Sequence, residues 1–481
     1  MPSLQHPRVR RPLAAALLAA LLAACGDTDA PTSPPLDDPL PGPVFTVATF
    51  GVTQIGNSVD QYFANAINDD ALVAGGQRSN VVPGQFVPSG AFLWSNGATQ
   101  LLPRASFSET SVARDVNGPG LVVGSAGSDA AAWEGGAITR LARVYPNGTG
   151  VGAFAASVND VGQIVGLDRA TGSPTVGVFW AGKSDPDPTV LPLAVSGTDA
   201  FGNPLNISNA GLIVGQATTP AAAWDAVVWT SPAATAAPLR GFGGAVCRDW
   251  ANGVNELGEI VGACELNGAR HAVYWASKDA DPVDLGEGDA SSINELGQIG
   301  GTDGVRPFLW NPEAGTFRRY ELGVPDASVP IPSGVTDLNN TGEATGFGSG
   351  SITFVWTIPI RARLDVVPGS AANAVKRDGR GTVTVAILGS RWFRATDVNP
   401  ATLTLGNDDG VETPVARRSS GVNAKLADVN KDGFKDLVAE FDKRQLMNNG
   451  DLPLDAHTLV LLGRMGDGGH VRGVDAVQVT K

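Results

Sequence analysis

One short pattern recurs seven times between residues 46 and 358, and no other feature constrains the fold as strongly. It runs Ile67-Asn68-Asp69-Asp70-Ala71-Leu72-Val73-Ala74-Gly75, then Val116-Asn117 to Gly124, Val158-Asn159-Asp160-Val161-Gly162-Gln163-Ile164-Val165-Gly166 and Ile207-Ser208 to Gly215. Three further copies are Val254-Asn255-Glu256-Leu257-Gly258-Glu259-Ile260-Val261-Gly262, Ile293-Asn294 to Gly301, and Leu338-Asn339 to Gly346. The positions aligned on the Asn, 68, 117, 159, 208, 255, 294 and 339, lie 39 to 49 residues apart. A period of that length with strand-like patterning marks a propeller or array, in which each unit buries its faces against its neighbours.

Each copy carries a second landmark, an apolar strand ending in Trp94, Trp133, Trp180, Trp229, Trp275, Trp310 or Trp356. A large ring recurring at one strand position is expected to pack between neighbouring sheets, so seven of the ten tryptophans read as structural. One unit then reads as four strands: a first strand, a tight Asn-x-x-Gly turn, the Gln-Ile-Val-Gly strand, the Trp strand, and a short strand near Leu101, Leu141, Leu285 or Leu322. Two residues before the Asn stand Ala66, Asp115, Ser157, Asn206, Gly253, Ser292 and Asp337, side chains small enough for a crowded axis. The predicted body is a seven-bladed β-propeller over 46–358. The seventh unit lacks an obvious fourth strand, and the alternating segment Thr46 to Thr53 is the candidate to complete it and remove the exposed edge. The links after Gly75, Gly166 and Gly215 and those between units are longer than the Asn turns, so a ligand is expected on the long-loop face.

His271-Ala272-Val273-Tyr274-Trp275 is the copy in which the units most closely resemble the HAF repeat family of exported bacterial proteins, named for a His-Ala-Phe stretch. The resemblance spans all seven units and implies a propeller-like body with no established reaction.

From about residue 362 the repeat gives way to different strands: Arg363 to Val367, Gly381 to Gly389, Ala401 to Leu405, Leu437 to Phe441 and Thr458 to Leu462. They predict a small β-sandwich-like domain over 362–481, similar to modules at the ends of secreted bacterial proteins. Its run Asp428-Val429-Asn430-Lys431-Asp432-Gly433-Phe434-Lys435-Asp436 places oxygen side chains at Asp428, Asn430, Asp432 and Asp436, a backbone carbonyl at Phe434 and a bend at Gly433. Six or seven hard oxygen donors are what Ca²⁺ requires, so a structural Ca²⁺ is expected; an unliganded Asx-rich turn is the other reading. Ala439 stands where an EF-hand has its bidentate Glu, and the loop resembles dockerin-like calcium loops more than a sensor.

The N-terminus has the order of an export leader. Arg8, Arg10 and Arg11 precede an apolar run from Leu13 to Ala24, and Leu22-Ala23-Ala24-Cys25 resembles a bacterial lipobox. Residues 1–24 would be the signal peptide, Cys25 the lipidated residue, and 25–45 a Pro-rich tether carrying six prolines after the cysteine; a plain secretory signal is the alternative. Gly26 rather than Asp after the cysteine points, by resemblance to lipoprotein sorting, to the outer membrane. In an oxidising compartment Cys247 and Cys264, which flank the first hairpin of the fifth unit, are expected to form a disulfide, with two free buried thiols as the alternative.

The net charge of −14 argues against binding through a nucleic-acid backbone. Gly177-Val178-Phe179-Trp180-Ala181-Gly182-Lys183-Ser184 spells a P-loop, but its middle is the Trp strand of the third unit, which a flexible phosphate-cradling loop cannot be. No zinc-hydrolase or nucleophile-elbow motif occurs, and no catalytic residue is assigned. The sequence predicts an exported, lipid-anchored, non-enzymatic scaffold that binds a glycan, peptide or protein and has no nucleotide or nucleic-acid partner. The alternative is a polysaccharide-active enzyme with Asp115 and Asp337 as an axial carboxylate pair.

Overall fold

The computed structural model describes residues 45–481 apart from 47–50, 57–61, 78–80, 83–84, 87–89, 107, 147–151, 198, 222–223, 314–315, 324–331, 349–351, 371, 408–410 and 420. The leader, Cys25 and nearly all of the tether lie outside the described residues.

The seven repeats are seven antiparallel blades. Strands Tyr62–Ile67, Val73–Gln77, Gly90–Ser95 and Ala98–Leu101 build the first, in that order from one edge to the other, and the next five follow the same plan. In the seventh blade, Pro332–Leu338, Glu343–Gly348 and Thr353–Thr357 are completed by Gly51–Ile55 from the N-terminal side of the chain. This strand lies antiparallel to Thr353–Thr357, with Val52 opposite Trp356. The closing strand therefore sits a few residues later than the expected segment 46–53, while Phe45–Thr46 runs parallel to Tyr320 and Glu321 on the sixth blade.

Two repeat letters have packing causes that apply to every blade. The pairing of first and second strands slips by one residue in each blade, which presses the second strand against the first. A Cβ at Gly75, Gly124, Gly166, Gly215, Gly262, Gly301 or Gly346 would overlap a backbone carbonyl oxygen of the first strand, so only glycine fits. The Trp of blades two to seven is fully buried and donates its indole N–H to a carbonyl of the preceding blade's outer strand or the link after it, from Trp133 to Pro103 (2.9 Å) through Trp310 to Leu285 (3.0 Å) and Trp356 to Gly323 (2.7 Å). Each ring thus fills the gap between sheets and satisfies its one polar atom there.

With Arg417–Arg418 and Gly421–Val422 as a separate two-stranded pair, residues from Ile360 onward build a nine-stranded sheet curled around one core, which resembles the expected small β-sandwich-like domain. Its centre is the long pair Asp455–Met465 and His470–Thr480. The second of these strands and the short helix Lys443–Asn449, capped by Asp442 accepting from the Gln445 N–H and ended by Gly450 in the left-handed region, are absent from the sequence expectation.

Candidate functional site

The repeat Asn, read from sequence as a turn residue, has a larger role. Its side-chain oxygen accepts the amide four residues on, as Asn117 does from Leu121 (2.8 Å) and Asn159 from Gln163 (2.8 Å), which closes the turn. Its NH₂ crosses to the next blade: Asn68 donates to the Asn117 carbonyl, Asn117 to Asn159, Asn159 to Ser208, Asn255 to Asn294, Asn294 to Asn339, and Asn339 back to Asn68 (3.1 Å). The fourth blade has Ser208 at this position, which cannot span the gap to Asn255.

A second ring lies one residue on. There a backbone N–H donates to the side chain at the matching position of the next blade, from Gly118 to Asp160, Asp160 to Asn209, Asn209 to Glu256, Glu256 to Glu295, Glu295 to Asn340, and Asn340 to Asp69. Gly118 has no side chain to receive the Asp69 amide, and the ring is open at that one joint. Substituting Ser208→Asn supplies the missing amide of the first ring, and we expect about 0.5–1.5 kcal/mol of added stability in chemical denaturation.

These rings line a cavity of about 230 Å³ at the axis. Of the candidate catalytic pair, Asp115 lines it and Asp337 does not, and both act as structural ties. Asp115 accepts the N–H groups of Val116 and Val158, and Asp337 accepts the Ser292 hydroxyl (2.6 Å) and the Ile67 N–H (2.9 Å) of the next blade. Burial, and then the charge of Asp115, push the Asp337 carboxyl up to about 7, and burial raises Asp115 as well. Burial and the nearby acids Glu256, Glu259 and Asp69 bring Glu295 to about 7.

An acid whose folded pKa is raised weakens the native state once it ionises, so stability falls as pH rises from about 4 to about 7. Asn206 fills the same position in the fourth blade and accepts the Val254 N–H at 3.3 Å, so Asp337→Asn keeps the tie. Because Asp337 is only partly buried, the expected gain is about 1–2 kcal/mol above pH 7, vanishing towards pH 4 in melting curves across that range.

A second concavity, of about 720 Å³, opens on the face opposite the Asn turns, where the long links were expected to gather. Ala221 and Trp224 come from the link between the second and third strands of blade four. Arg248 and Asp249 enter the first strand of blade five, and Glu265, Gly268, Ala269 and Arg270 form the adjacent hairpin. Trp224 is 53% exposed and rests on Phe201, ring centres 4.6 Å apart. Arg270 pairs with Asp249 (3.1 Å) and lies 4.1 Å over the Trp250 ring, whose N–H donates to Asp289. Trp224 and Trp250 both stand outside the repeat pattern, which was the one signal of this cleft available from sequence.

The curled sheet docks on the Asn-turn side of blades five and six. Glu259, completely buried, accepts the amide of Asn255 (2.8 Å), the hydroxyl of Tyr274 (2.6 Å) and the indole N–H of Trp392 (2.9 Å), and it pairs with Arg391. The same Trp392 ring lies against Gly297 of the sixth blade. Blades one, two and four carry Leu72, Leu121 and Leu212 where Glu259 stands, blades three and six Gln163 and Gln298, and blade seven Glu343. Among the described residues, the long-loop cleft contains none of the curled sheet.

The other sequence-derived residues are placed as follows. The P-loop letters are the strand Val176–Trp180 and the turn after it, with Lys183 paired to Glu134. The Cys247 and Cys264 Cα atoms are 5.3 Å apart in the core, within the span of a disulfide. In the 428–436 loop Asp428 accepts from the Gly433 N–H, Asn430 from Asp432, and Asp432 from Phe434, while buried Asp436 accepts the Val429 and Gly389 amides. The donor set is all oxygen and suits a hard cation, each engaged oxygen keeping a further lone pair. Among the described residues no group of three or more His, Cys, Asp and Glu side chains is gathered as a metal site.

No protein-family model and no curated protein sequence matches the chain. Solved structures of similar shape include a catalytically inactive virginiamycin B lyase from Staphylococcus aureus with quinupristin, at 9% identity over 64% of this chain and 99% of that one, TM-score 0.39. A chain of the mitotic checkpoint complex gives 9% identity, 68% and 96% coverage and TM-score 0.39. A β-propeller domain from Myceliophteria thermophila gives 10%, 64%, 98% and 0.37. Likenesses at this level carry no argument about chemistry.

Proposed function

We propose that the chain is an exported scaffold of the HAF-repeat kind, lipid-anchored through Cys25 at the outer membrane, which binds a partner on its long-loop face without chemical turnover. One contrast carries the reading. The acids at the axis are engaged in joining blades, whereas the opposite face presents an open cleft with a half-exposed tryptophan. Ligands of propellers and other scaffolds sit where loops, not framework bonds, supply the groups. Asp428, Asn430, Asp432, Asp436 and the Phe434 carbonyl would hold a structural Ca²⁺ that braces the curled sheet, and Cys247–Cys264 would be a disulfide under the cleft.

The deciding experiment incubates the full mature chain with soluble polysaccharides and measures both retention and released reducing ends. Retention without release supports the scaffold; release that Asp115→Asn abolishes establishes the polysaccharide-active alternative. For the cation, millimolar Ca²⁺ is expected to raise the melting temperature by a few degrees, and Asp432→Ala to remove the increment. A calorimetric titration without heat would refute it.

A further inference from the structure

We infer that the cleft between blades four and five binds a neutral sugar ring stacked on Trp224. The inference rests on the scaffold reading above and names its ligand class and site.

The indole is held in place by its neighbours. The Phe201 ring packs against the Trp224 indole at 4.6 Å and a tilt of 58°, so the exposed part of the indole lines the cleft without needing to be ordered by a ligand. Arg270 is likewise fixed before anything binds, clamped between Asp249 and the Trp250 ring. Arg248 and Glu265 are exposed and, among the described residues, have no ionic partner. Behind them lies a further sign of a polar site. Asp225, next to Trp224 and paired with Arg248 through the backbone alone, is completely buried, and one of its carboxylate oxygens has no hydrogen-bond partner. The other oxygen is held by the Thr219 hydroxyl.

A pyranose matches this set of groups. Its axial C–H bonds make one face apolar enough to lie on an indole, and its rim of hydroxyls each donates and accepts. Guanidinium and carboxylate groups supply planar pairs of donors and of acceptors to adjacent hydroxyls. Two arginines stand against two acids around the cleft, Arg248 and Arg270 with Asp249 and Glu265, so no excess charge selects a polyanion. A peptide anchor would need a deep apolar pocket, and the remaining lining is Ala221, Gly268 and Ala269. The volume suits a short oligosaccharide.

The test screens the full mature chain against immobilised chito-, cello-, manno- and malto-oligosaccharides, with polygalacturonate and a peptide library as controls. Affinities are then measured in solution for Trp224→Ala, Trp224→Phe and Glu265→Gln. We expect a neutral oligosaccharide to bind, Trp224→Ala to weaken it roughly tenfold or more, Trp224→Phe to recover much of the loss, and Glu265→Gln to weaken it several-fold, all at unchanged melting temperature. Binding that survives Trp224→Ala overturns the cleft assignment and leaves the scaffold reading standing. Binding confined to peptides or to the polyanion, or no binding by the wild type, overturns the ligand class. Recovery of the oligosaccharide cleaved, by mass spectrometry, overturns the scaffold reading itself.

Discussion

Deleting Gly51–Ile55 is expected to destabilise the propeller by at least about 4 kcal/mol and to broaden or abolish its cooperative thermal transition. Two losses combine in that figure. Ile55 is buried against Ile67, Val73, Phe92 and Val355, where the seventh blade meets the first, and removing such a side chain typically costs 2–5 kcal/mol. The whole length of Thr353–Thr357 also becomes an open edge, since its partner strand is gone. The single substitution Ile55→Ala separates the terms and should cost about 2–4 kcal/mol with the transition still cooperative. A deletion variant that melts like the wild type in calorimetry would mean that the ring closes without this strand.

Arg391→Ala is expected to cost about 2–3 kcal/mol and to split one calorimetric transition into two, as the curled sheet loses its hold on blades five and six. Removing one partner of a buried ion pair leaves an uncompensated charge, at 3–5 kcal/mol where nothing else answers it. Here Asn255, Tyr274 and Trp392 still donate to the Glu259 carboxylate, and Arg391 is partly exposed, which lowers the cost. Burial and the adjacent Glu259 hold the Tyr274 hydroxyl above its ordinary range, so it remains a donor at any working pH. Gln163 and Gln298 occupy the Glu259 position in blades three and six. Adding Glu259→Gln to Arg391→Ala therefore removes the stranded charge, and the pair should recover most of the loss; a double variant no better than Arg391→Ala would place the cost elsewhere.

The seven blades were legible because their causes are local and repeated: a bulge that only glycine fits, and a tryptophan at the same strand position in every unit. The face on which loops gather was legible as well, from link lengths alone. The interblade rings were not. Asn117 satisfies its own turn through one oxygen, which accounts for the residue completely at the level of sequence, and nothing local shows that its NH₂ reaches Asn159 forty-two residues on. Asp115 and Asp337 attracted a catalytic reading for the same reason, since an acid at the axis looks unpaired until the next blade's amide is in place. In the curled sheet, the strand His470–Thr480 escaped because its Gly and Asp residues dilute the apolar alternation. The three tryptophans outside the pattern, Trp224, Trp250 and Trp392, mark the cleft and the domain contact, and their departure from the repeat was the usable clue.

Hydrogen–deuterium exchange of the full chain, with and without a retained oligosaccharide, tests the central claim most directly. Added protection is expected in residues 218–221, 224–225, 248–250 and 265–271, with the axial turns around Asn68, Asn117 and Asn159 unchanged. Protection appearing at those axial turns, and not at the cleft, would contradict it.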